Sequence, residues 1–142
     1  MNHSLEMTEN ENQAKYEQNA FNIQEEVETE TKKNKKMMRC LRCNSLILQP
    51  MTSFFKQCEQ SVPIPSMKQK KDLAQSSFET IETNQFWLVK DMLTFENIGF
   101  TNLVEKKKYL ICADCEIGPI GYQNVEVENE FLVCADRVKY VI

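Results

Sequence analysis

Two Cys-x-x-Cys pairs are the residues best suited to chemistry in this sequence: Cys40 with Cys43, and Cys112 with Cys115. Two residues between cysteines allow a knuckle, a tight turn in which both sulfurs reach one ion. Tetrahedral zinc takes four ligands and binds thiolates well. The two pairs are separated by 68 residues, so the fold must bring them together. We therefore interpret them as the two halves of one closed, structural zinc site.

Two other uses of these cysteines are weaker. A thioredoxin-type redox pair expects a helix that starts at the first cysteine, yet a Gly-Pro dipeptide follows soon after Cys115. A catalytic zinc keeps an open position and usually has a histidine or carboxylate ligand, whereas the single histidine is His3, close to the N-terminus. The remaining cysteines, Cys58 and Cys134, have no partner at a suitable spacing, and we interpret them as core or surface thiols.

Composition and charge exclude several classes of protein. The chain has 17 basic and 21 acidic residues and a net charge of −4, unlike the strongly basic domains that bind nucleic acids. No apolar run approaches the length of a membrane span, and the N-terminus lacks the basic and apolar regions of a secretory signal. We expect a cytoplasmic monomer, in a compartment where paired cysteines more often bind metal than form disulfides.

The sequence predicts one domain preceded by a tail. Residues 1–36 contain scattered apolar residues and many charges, so we predict a disordered or weakly helical tail that buries too little apolar area to fold. An amphipathic docking helix around 16–27 is the alternative. Residues 37–142 are expected to form the domain, and the polar stretch 66–85 is expected to be a long mobile loop within it.

Strands rather than helices are indicated for the domain. Residues 39–65 consist of short apolar runs broken by prolines, and "KKKYLIC" leads as a strand into the second cysteine pair. Val125 and Val127 alternate with glutamates, which predicts a hairpin that resumes at Phe131. "RVKYVI" is a last short strand. The fold class is thus mainly β: a single zinc-stapled domain with mixed β-sheets in a tent-like arrangement.

One position conflicts with the alternation that a strand requires. In "FWLVKDMLTFENIGF" Asp91 shares its parity with Trp87 and Val89, which are expected to face the core. Either Asp91 faces inward and needs a partner, or the strand bends there.

Four stretches of the sequence closely resemble the Rab-interacting factor family, the small zinc proteins first known as mammalian suppressors of a yeast secretion mutant. They are "CLRCNSLILQP", "PSMKQKK", "FWLVKDMLTFENIGFT" and "YLICADCEIGPIGY", and the resemblance covers about residues 39–140. It implies a mostly β fold with one zinc. It also implies binding to Rab-type small GTPases of the exocytic pathway, with a preference for the nucleotide-free GTPase, faster GDP release and a chaperone-like holding role. The family's zinc ligands carry over onto Cys40, Cys43, Cys112 and Cys115.

The resemblance also implies a partner-binding surface. Carried over residue by residue, it falls on Asp91, Met92, Leu93, Glu96, Asn97, Phe100 and Asp114. Leu93 departs from the pattern, which is expected to have a phenylalanine there in the animal proteins. Nucleotide release requires no covalent chemistry, so no catalytic residue is expected, and contact with membranes would be indirect, through the Rab.

Each of these residues also has an ordinary structural interpretation, and two other functions stay open. Asp91 could merely cap a turn or pair with a surface lysine, and Met92 could belong to the core. A zinc-stapled adaptor would bind other proteins without affecting nucleotide release. An enzyme related to the methionine sulfoxide reductases would need a reactive thiol, for which Cys134 and Cys58 are the spare candidates.

Overall fold

The computed structural model describes residues 19–63 and 80–142. Strands dominate these residues, and the helices are one four-residue α-helix, α1, and one short 3-10 helix. In chain order the elements are α1 (Ile23–Glu26), β1 (Met37–Cys40), β2 (Leu46–Leu48), β3 (Phe54–Pro63), β4 (Thr80–Val89), the 3-10 helix (Met92–Thr94), β5 (Gly99–Phe100), β6 (Lys107–Ile111), β7 (Gly121–Asn124), β8 (Phe131–Cys134) and β9 (Val138–Val141). The predicted fold class, mainly β, is confirmed.

The strands form two sheets. The smaller has the order β2-β1-β9 and the larger the order β3-β4-β8-β7-β6-β5. Mixed sheets were expected, but the strand pairs are antiparallel throughout the described residues. Short connections such as the one from β6 to β7 favour antiparallel neighbours, because parallel strands need a long crossover.

The core lies on both faces of the larger sheet. Along β4, Trp87 and Val89 belong to a buried cluster that also contains Met38 and Val138 of the smaller sheet. Phe86 and Leu88 alternate with them along the strand and point the other way: Phe86 belongs to a second buried cluster, and Leu88 packs against it. Successive side chains of a strand point to opposite faces, so the apolar start of "FWLV" supplies both clusters. The smaller sheet therefore packs against one face of the larger one.

The folded part of the chain begins earlier than predicted. The Phe21 ring packs against the rings of Phe55, Trp87 and Tyr140, with centroids 5.6, 5.9 and 5.8 Å away. The Asn19 backbone N–H donates to the carbonyl of residue 136 at 2.7 Å. The boundary at residue 37 is thus wrong for residues 19–36, because aromatic partners far along the chain supply the apolar contact that this segment lacks by itself. The prediction for residues 1–18 lies outside the described residues.

Asn34 fixes the same segment to the turn before β3. Its side chain is fully buried. The amide nitrogen donates to the carbonyls of Lys36 and Gln49, and the amide oxygen accepts from the backbone N–H groups of Thr52 and Ser53. A buried amide is costly unless it is hydrogen-bonded, so this network accounts for an asparagine inside the fold.

Two boundaries predicted within the domain are also corrected. β4 begins at Thr80, so residues 80–85 belong to a strand that pairs with β3 rather than to the loop 66–85. The rest of that predicted loop, 66–79, lies outside the described residues. Val125 and Val127 are exposed in the turn after β7, because the strand ends at Asn124. The strands predicted in "KKKYLIC", from Phe131 onward and in "RVKYVI" are confirmed, with the bounds Lys107–Ile111, Phe131–Cys134 and Val138–Val141.

Arg137 stands where a third Cys-x-x-Cys pair would have its second cysteine. It is 2% exposed, and its guanidinium donates to the carbonyls of Pro63 at 2.7 Å and Pro119 at 2.8 Å. These bonds connect the end of β3 to the loop before β7.

Across residues 19–63 and 80–142, the helices are too short to cross a membrane.

Candidate metal centre and adjoining surface

The four cysteines of the two pairs converge at one end of the molecule. Their sulfur atoms all lie within 4.8 Å of one another. Two of the distances between the pairs are 3.6 Å: from Cys40 Sγ to Cys115 Sγ, and from Cys43 Sγ to Cys112 Sγ. Zinc–thiolate bonds of about 2.3 Å in a tetrahedron place two sulfurs about 3.8 Å apart. The four side chains therefore fit a single metal ion of this kind.

The two knuckles have the same backbone geometry. In the first, the N–H of Asn44 donates to the carbonyl of Cys40 at 3.0 Å, and in the second the N–H of Glu116 donates to that of Cys112 at 2.8 Å. Asn44 and Glu116 both have positive φ, 68° and 64°. Such a left-handed residue closes a tight turn. Each pair of sulfurs is thus presented by a preformed turn.

Strands hold these turns in place. The first knuckle follows β1 and leads into β2, and the second begins at Cys112, directly after β6. Cys40 and Cys112 are buried, Cys115 is half-buried and Cys43 is exposed. The site therefore lies at the surface, with one ligand facing solvent.

Without a metal, the thiols of Cys40, Cys43 and Cys115 differ in pKa. Burial raises the pKa of Cys40 and of Cys115. Burial also acts to raise the pKa of Cys43, but hydrogen bonds with the hydroxyl and backbone N–H of Ser45, together with those to the sulfurs of Cys112 and Cys40, outweigh it and lower the pKa to about 7. Metal binding requires thiolates and therefore releases protons.

Asn97 supports the second knuckle from outside the ligand set. Its side-chain nitrogen donates to Cys112 Sγ at 3.2 Å, and its side-chain oxygen accepts from the backbone N–H of Ala113 at 2.9 Å. The side chain of Asn97 is half-buried. Its predicted role in binding a partner stays a prediction, and the structure adds a contact with the metal centre that the sequence did not indicate.

A short turn beside the knuckles carries four more of the predicted residues. The strand bends after Val89, and the Asp91 carboxylate accepts from the backbone N–H of Leu93 at 2.9 Å, so it caps the 3-10 helix. This bend resolves the conflict of parity, and it leaves Leu93 83% and Met92 48% exposed. Met92 is therefore not a core residue. Glu96 is exposed, and its N–H donates to the carbonyl of Ile47, which ties the turn to β2.

Phe100 and Asp114, the other two predicted residues, differ in their surroundings. Phe100 is half-buried and its ring lies 6.2 Å from that of Phe131, so it packs on the core cluster. Asp114 is exposed at the tip of the second knuckle and accepts a hydrogen bond from Ser45. Sequence reasoning missed Ser45, since its position two residues after Cys43 carries no signal of this contact.

One surface therefore contains five of the seven predicted residues. We call it the knuckle–turn surface: Asp91, Met92, Leu93, Glu96 and Asp114. It combines three acids with two exposed apolar side chains. Of the other two, Asn97 connects the turn to the metal centre, and Phe100 packs on the core cluster.

The fold and the site together define a class of protein: a small β domain with one four-cysteine site built from two distant knuckles. Residues 33–140 match the family model described as Mss4 protein. The match includes both knuckles, the turn between β4 and β5 and the strands that carry them. The chain belongs to the Mss4 family.

Two curated relatives bear the same name, guanine nucleotide exchange factor MSS4 homolog. The one from Drosophila melanogaster is 48% identical over 88 residues, which is 62% of this chain and 70% of the relative. The one from Schizosaccharomyces pombe is 44% identical over 43 residues, which is 30% of this chain and 43% of the relative.

Proposed function

We propose that this protein is a guanine-nucleotide releasing factor that binds Rab-type small GTPases of the secretory pathway. It prefers the nucleotide-free GTPase, and it promotes GDP release, holds the empty GTPase as a chaperone, or does both. The observation that carries this proposal is the family match over residues 33–140, together with relatives named as guanine nucleotide exchange factors. The protein would act in the cytoplasm as a monomer, and would reach membranes only through the GTPase.

The proposed cofactor is one structural Zn²⁺, with Cys40, Cys43, Cys112 and Cys115 as ligands. Four thiolates suit zinc and complete its tetrahedron, so the ion would supply rigidity rather than Lewis-acid chemistry. The convergence of the four sulfurs supports this assignment. The metal would fix the two turns relative to one another, and with them the residues beside the sulfurs.

The knuckle–turn surface is the proposed contact with the GTPase. Leu93 and Met92 are exposed apolar side chains on a turn that is capped at Asp91 and tied to β2 at Glu96. Flexible methionine suits adaptable contacts. Carboxylates such as Asp91 and Asp114 would compete for the basic and Mg²⁺-associated groups that the GTPase otherwise uses to hold nucleotide.

Nucleotide release then follows from binding alone. A factor that binds the empty GTPase more tightly than the GDP-bound one must weaken GDP binding by the same factor, because linkage is reciprocal. No covalent step and no catalytic side chain is needed. The chemistry required of this surface is therefore charge and shape complementarity to one state of the partner.

A panel of Rab GTPases stripped of nucleotide tests the proposal. The protein should form a complex with at least one of them that survives gel filtration, and excess GDP or GTP should dissolve it. Glu96→Lys should weaken the complex while metal content and the free energy of unfolding stay unchanged, because Glu96 is exposed and its bond to Ile47 uses the backbone N–H. Glu128→Lys reverses an exposed charge in the turn after β7 and is the matched control. Complexes that nucleotide does not dissolve would favour an adaptor without exchange activity.

A further inference from the structure

Ser45 is held by the backbone of the first knuckle. Its carbonyl accepts from the N–H of Cys40 at 2.9 Å. Its own N–H and its hydroxyl both approach the sulfur of Cys43, with 3.2 Å between the sulfur and the hydroxyl oxygen. The hydroxyl therefore projects from a fixed point of the molecule.

This hydroxyl also reaches the other knuckle. Ser45 Oγ donates to Asp114 Oδ2 at 2.5 Å, between residues 69 positions apart in the sequence. Asp114 lies in the second knuckle, and no regular strand contains it. The contact thus joins an exposed acid of one turn to a half-buried hydroxyl of the other.

The chemistry of the sulfur decides where the hydroxyl hydrogen goes. A thiolate on a metal accepts hydrogen bonds and donates none. Ser45 has a single hydroxyl hydrogen, but its backbone N–H also faces Cys43 Sγ and can serve that acceptor. The hydroxyl hydrogen then remains available for the carboxylate of Asp114. A hydrogen bond to such a charged acceptor is strong.

We infer that Ser45 is a positioning residue for the GTPase contact: it holds the Asp114 carboxylate in one orientation on the knuckle–turn surface. The inference rests on the proposed function, since Asp114 is taken as a contact of the GTPase. An exposed aspartate that samples several rotamers must be ordered on binding, which costs affinity. With the bond from Ser45, the Asp114 side chain would already be ordered in the free protein, so that less entropy is lost on binding.

The orientation of Asp114 can be measured without any partner. Three-bond couplings from the backbone nitrogen and carbonyl carbon to Asp114 Cγ report its χ1 rotamers by NMR in the metal-loaded protein. Wild type and Ser45→Thr, which keeps the hydroxyl, should show one rotamer, and Ser45→Ala should show averaged couplings. A single rotamer in Ser45→Ala would overturn the inference, whatever the GTPase does.

Affinity for a nucleotide-free Rab then tests the consequence. Ser45→Ala should weaken binding about 3- to 10-fold, the cost of ordering one side chain, and Ser45→Thr should restore it. Ser61→Ala removes an exposed serine hydroxyl on β3, far from the knuckles in the strand order, and should bind as wild type does. Zinc content measured on each variant should stay at one ion per chain.

A double-mutant cycle separates positioning from a general structural effect. If Ser45 acts through Asp114, Ser45→Ala should have no further effect on affinity in an Asp114→Ala background. Equal losses in both backgrounds would overturn the inference. Failure of the wild-type protein to bind any Rab would count against the proposed function instead, and the rotamer measurement would still decide whether Ser45 holds Asp114.

Discussion

The side chain of Asn97 joins the turn after β4 to a cysteine of the metal centre: its amide donates to Cys112 Sγ at 3.2 Å and accepts from the N–H of Ala113 at 2.9 Å. One residue therefore orients a sulfur and the backbone beside it. Because Asn97 lies three residues after Thr94, where the 3-10 helix ends, it also places the exposed turn relative to the knuckle. Metal centre and turn are parts of one unit.

Removal of the Asn97 amide should weaken metal binding. Residues that hydrogen-bond to metal ligands typically contribute about 10- to 100-fold to affinity, so Asn97→Ala should lose zinc to a competing chelator at correspondingly lower chelator concentration. Asn102→Ala changes an exposed asparagine outside the knuckles and is the control. Equal zinc retention in both variants would show that the Asn97 bond is incidental to the metal centre.

Removal of the metal should unfold the domain. Both sheets meet at the two knuckles, since β1 belongs to the smaller sheet and β6 to the larger. A structural zinc contributes on the order of 10 kcal/mol to folding, comparable to the whole stability of a domain. After chelation, urea unfolding followed by Trp87 fluorescence should lose its cooperative transition, and added zinc should restore it. An unchanged transition in metal-free protein would refute a structural role.

Leu93 should matter for binding and not for stability. Its side chain is 83% exposed, so Leu93→Ala should change the free energy of unfolding by no more than about 0.5 kcal/mol. If the turn contacts the GTPase, Leu93 becomes an apolar side chain buried in the complex. Its truncation to alanine should then weaken the binding free energy by more than about 1 kcal/mol, which is roughly 5-fold in affinity. Titration calorimetry with a nucleotide-free Rab measures this loss.

Leu103→Ala is the matched control for Leu93→Ala. Leu103 is 48% exposed and lies in the connection before β6. The second knuckle follows the other end of β6, and this strand of five residues spans roughly 15 Å. The strand therefore separates Leu103 from the knuckle–turn surface. Leu103→Ala should therefore bind as wild type does. Equal weakening by the two variants would place the contact elsewhere on the molecule.

Phe21 should contribute to stability although it lies outside the family match. Its ring is half-buried and contacts three aromatic rings, so Phe21→Ala should lower the free energy of unfolding by about 2 kcal/mol, less than the 3–5 kcal/mol of a fully buried phenylalanine. Ile23→Ala changes an exposed side chain nearby and should have little effect. Urea unfolding in the presence of zinc compares both variants with wild type, and a wild-type stability of Phe21→Ala would mean that the Phe21 ring contributes nothing to the fold.

Spacing and alternation predicted the parts of this molecule that local sequence determines. The convergence of two Cys-x-x-Cys pairs followed from the ligand number of zinc, and the strand into Cys112 followed from a run of apolar residues. The strand predicted at Val125 and Val127 was wrong for the same reason. Their alternation with glutamates is typical of a strand, yet the pairing of β7 with β8 ends before them. Local pattern does not determine where a hairpin turns.

The remaining features depend on contacts between distant residues. The sequence around Phe21 does not indicate its ring contacts, which form only when the fold brings Phe55, Trp87 and Tyr140 beside it. Similarly, Asn97 and Ser45 acquire their contacts only when the knuckles converge, so the resemblance could indicate a surface without separating the residues that form it from those that support it. Leu93, by contrast, is exposed because Asp91 caps a bend, and the sequence left that bend open as one of two possibilities.

GDP release from a Rab tests the central proposal most directly. A Rab loaded with fluorescent GDP is mixed with excess unlabelled GTP and increasing amounts of the zinc-loaded protein, and the release rate is followed by fluorescence. For at least one Rab, the rate should rise and saturate with wild-type protein, and rise much less with Asp114→Ala. A rate that stays at its intrinsic value for every Rab at all concentrations, with equal affinity for GDP-bound and empty forms, would contradict the proposed function.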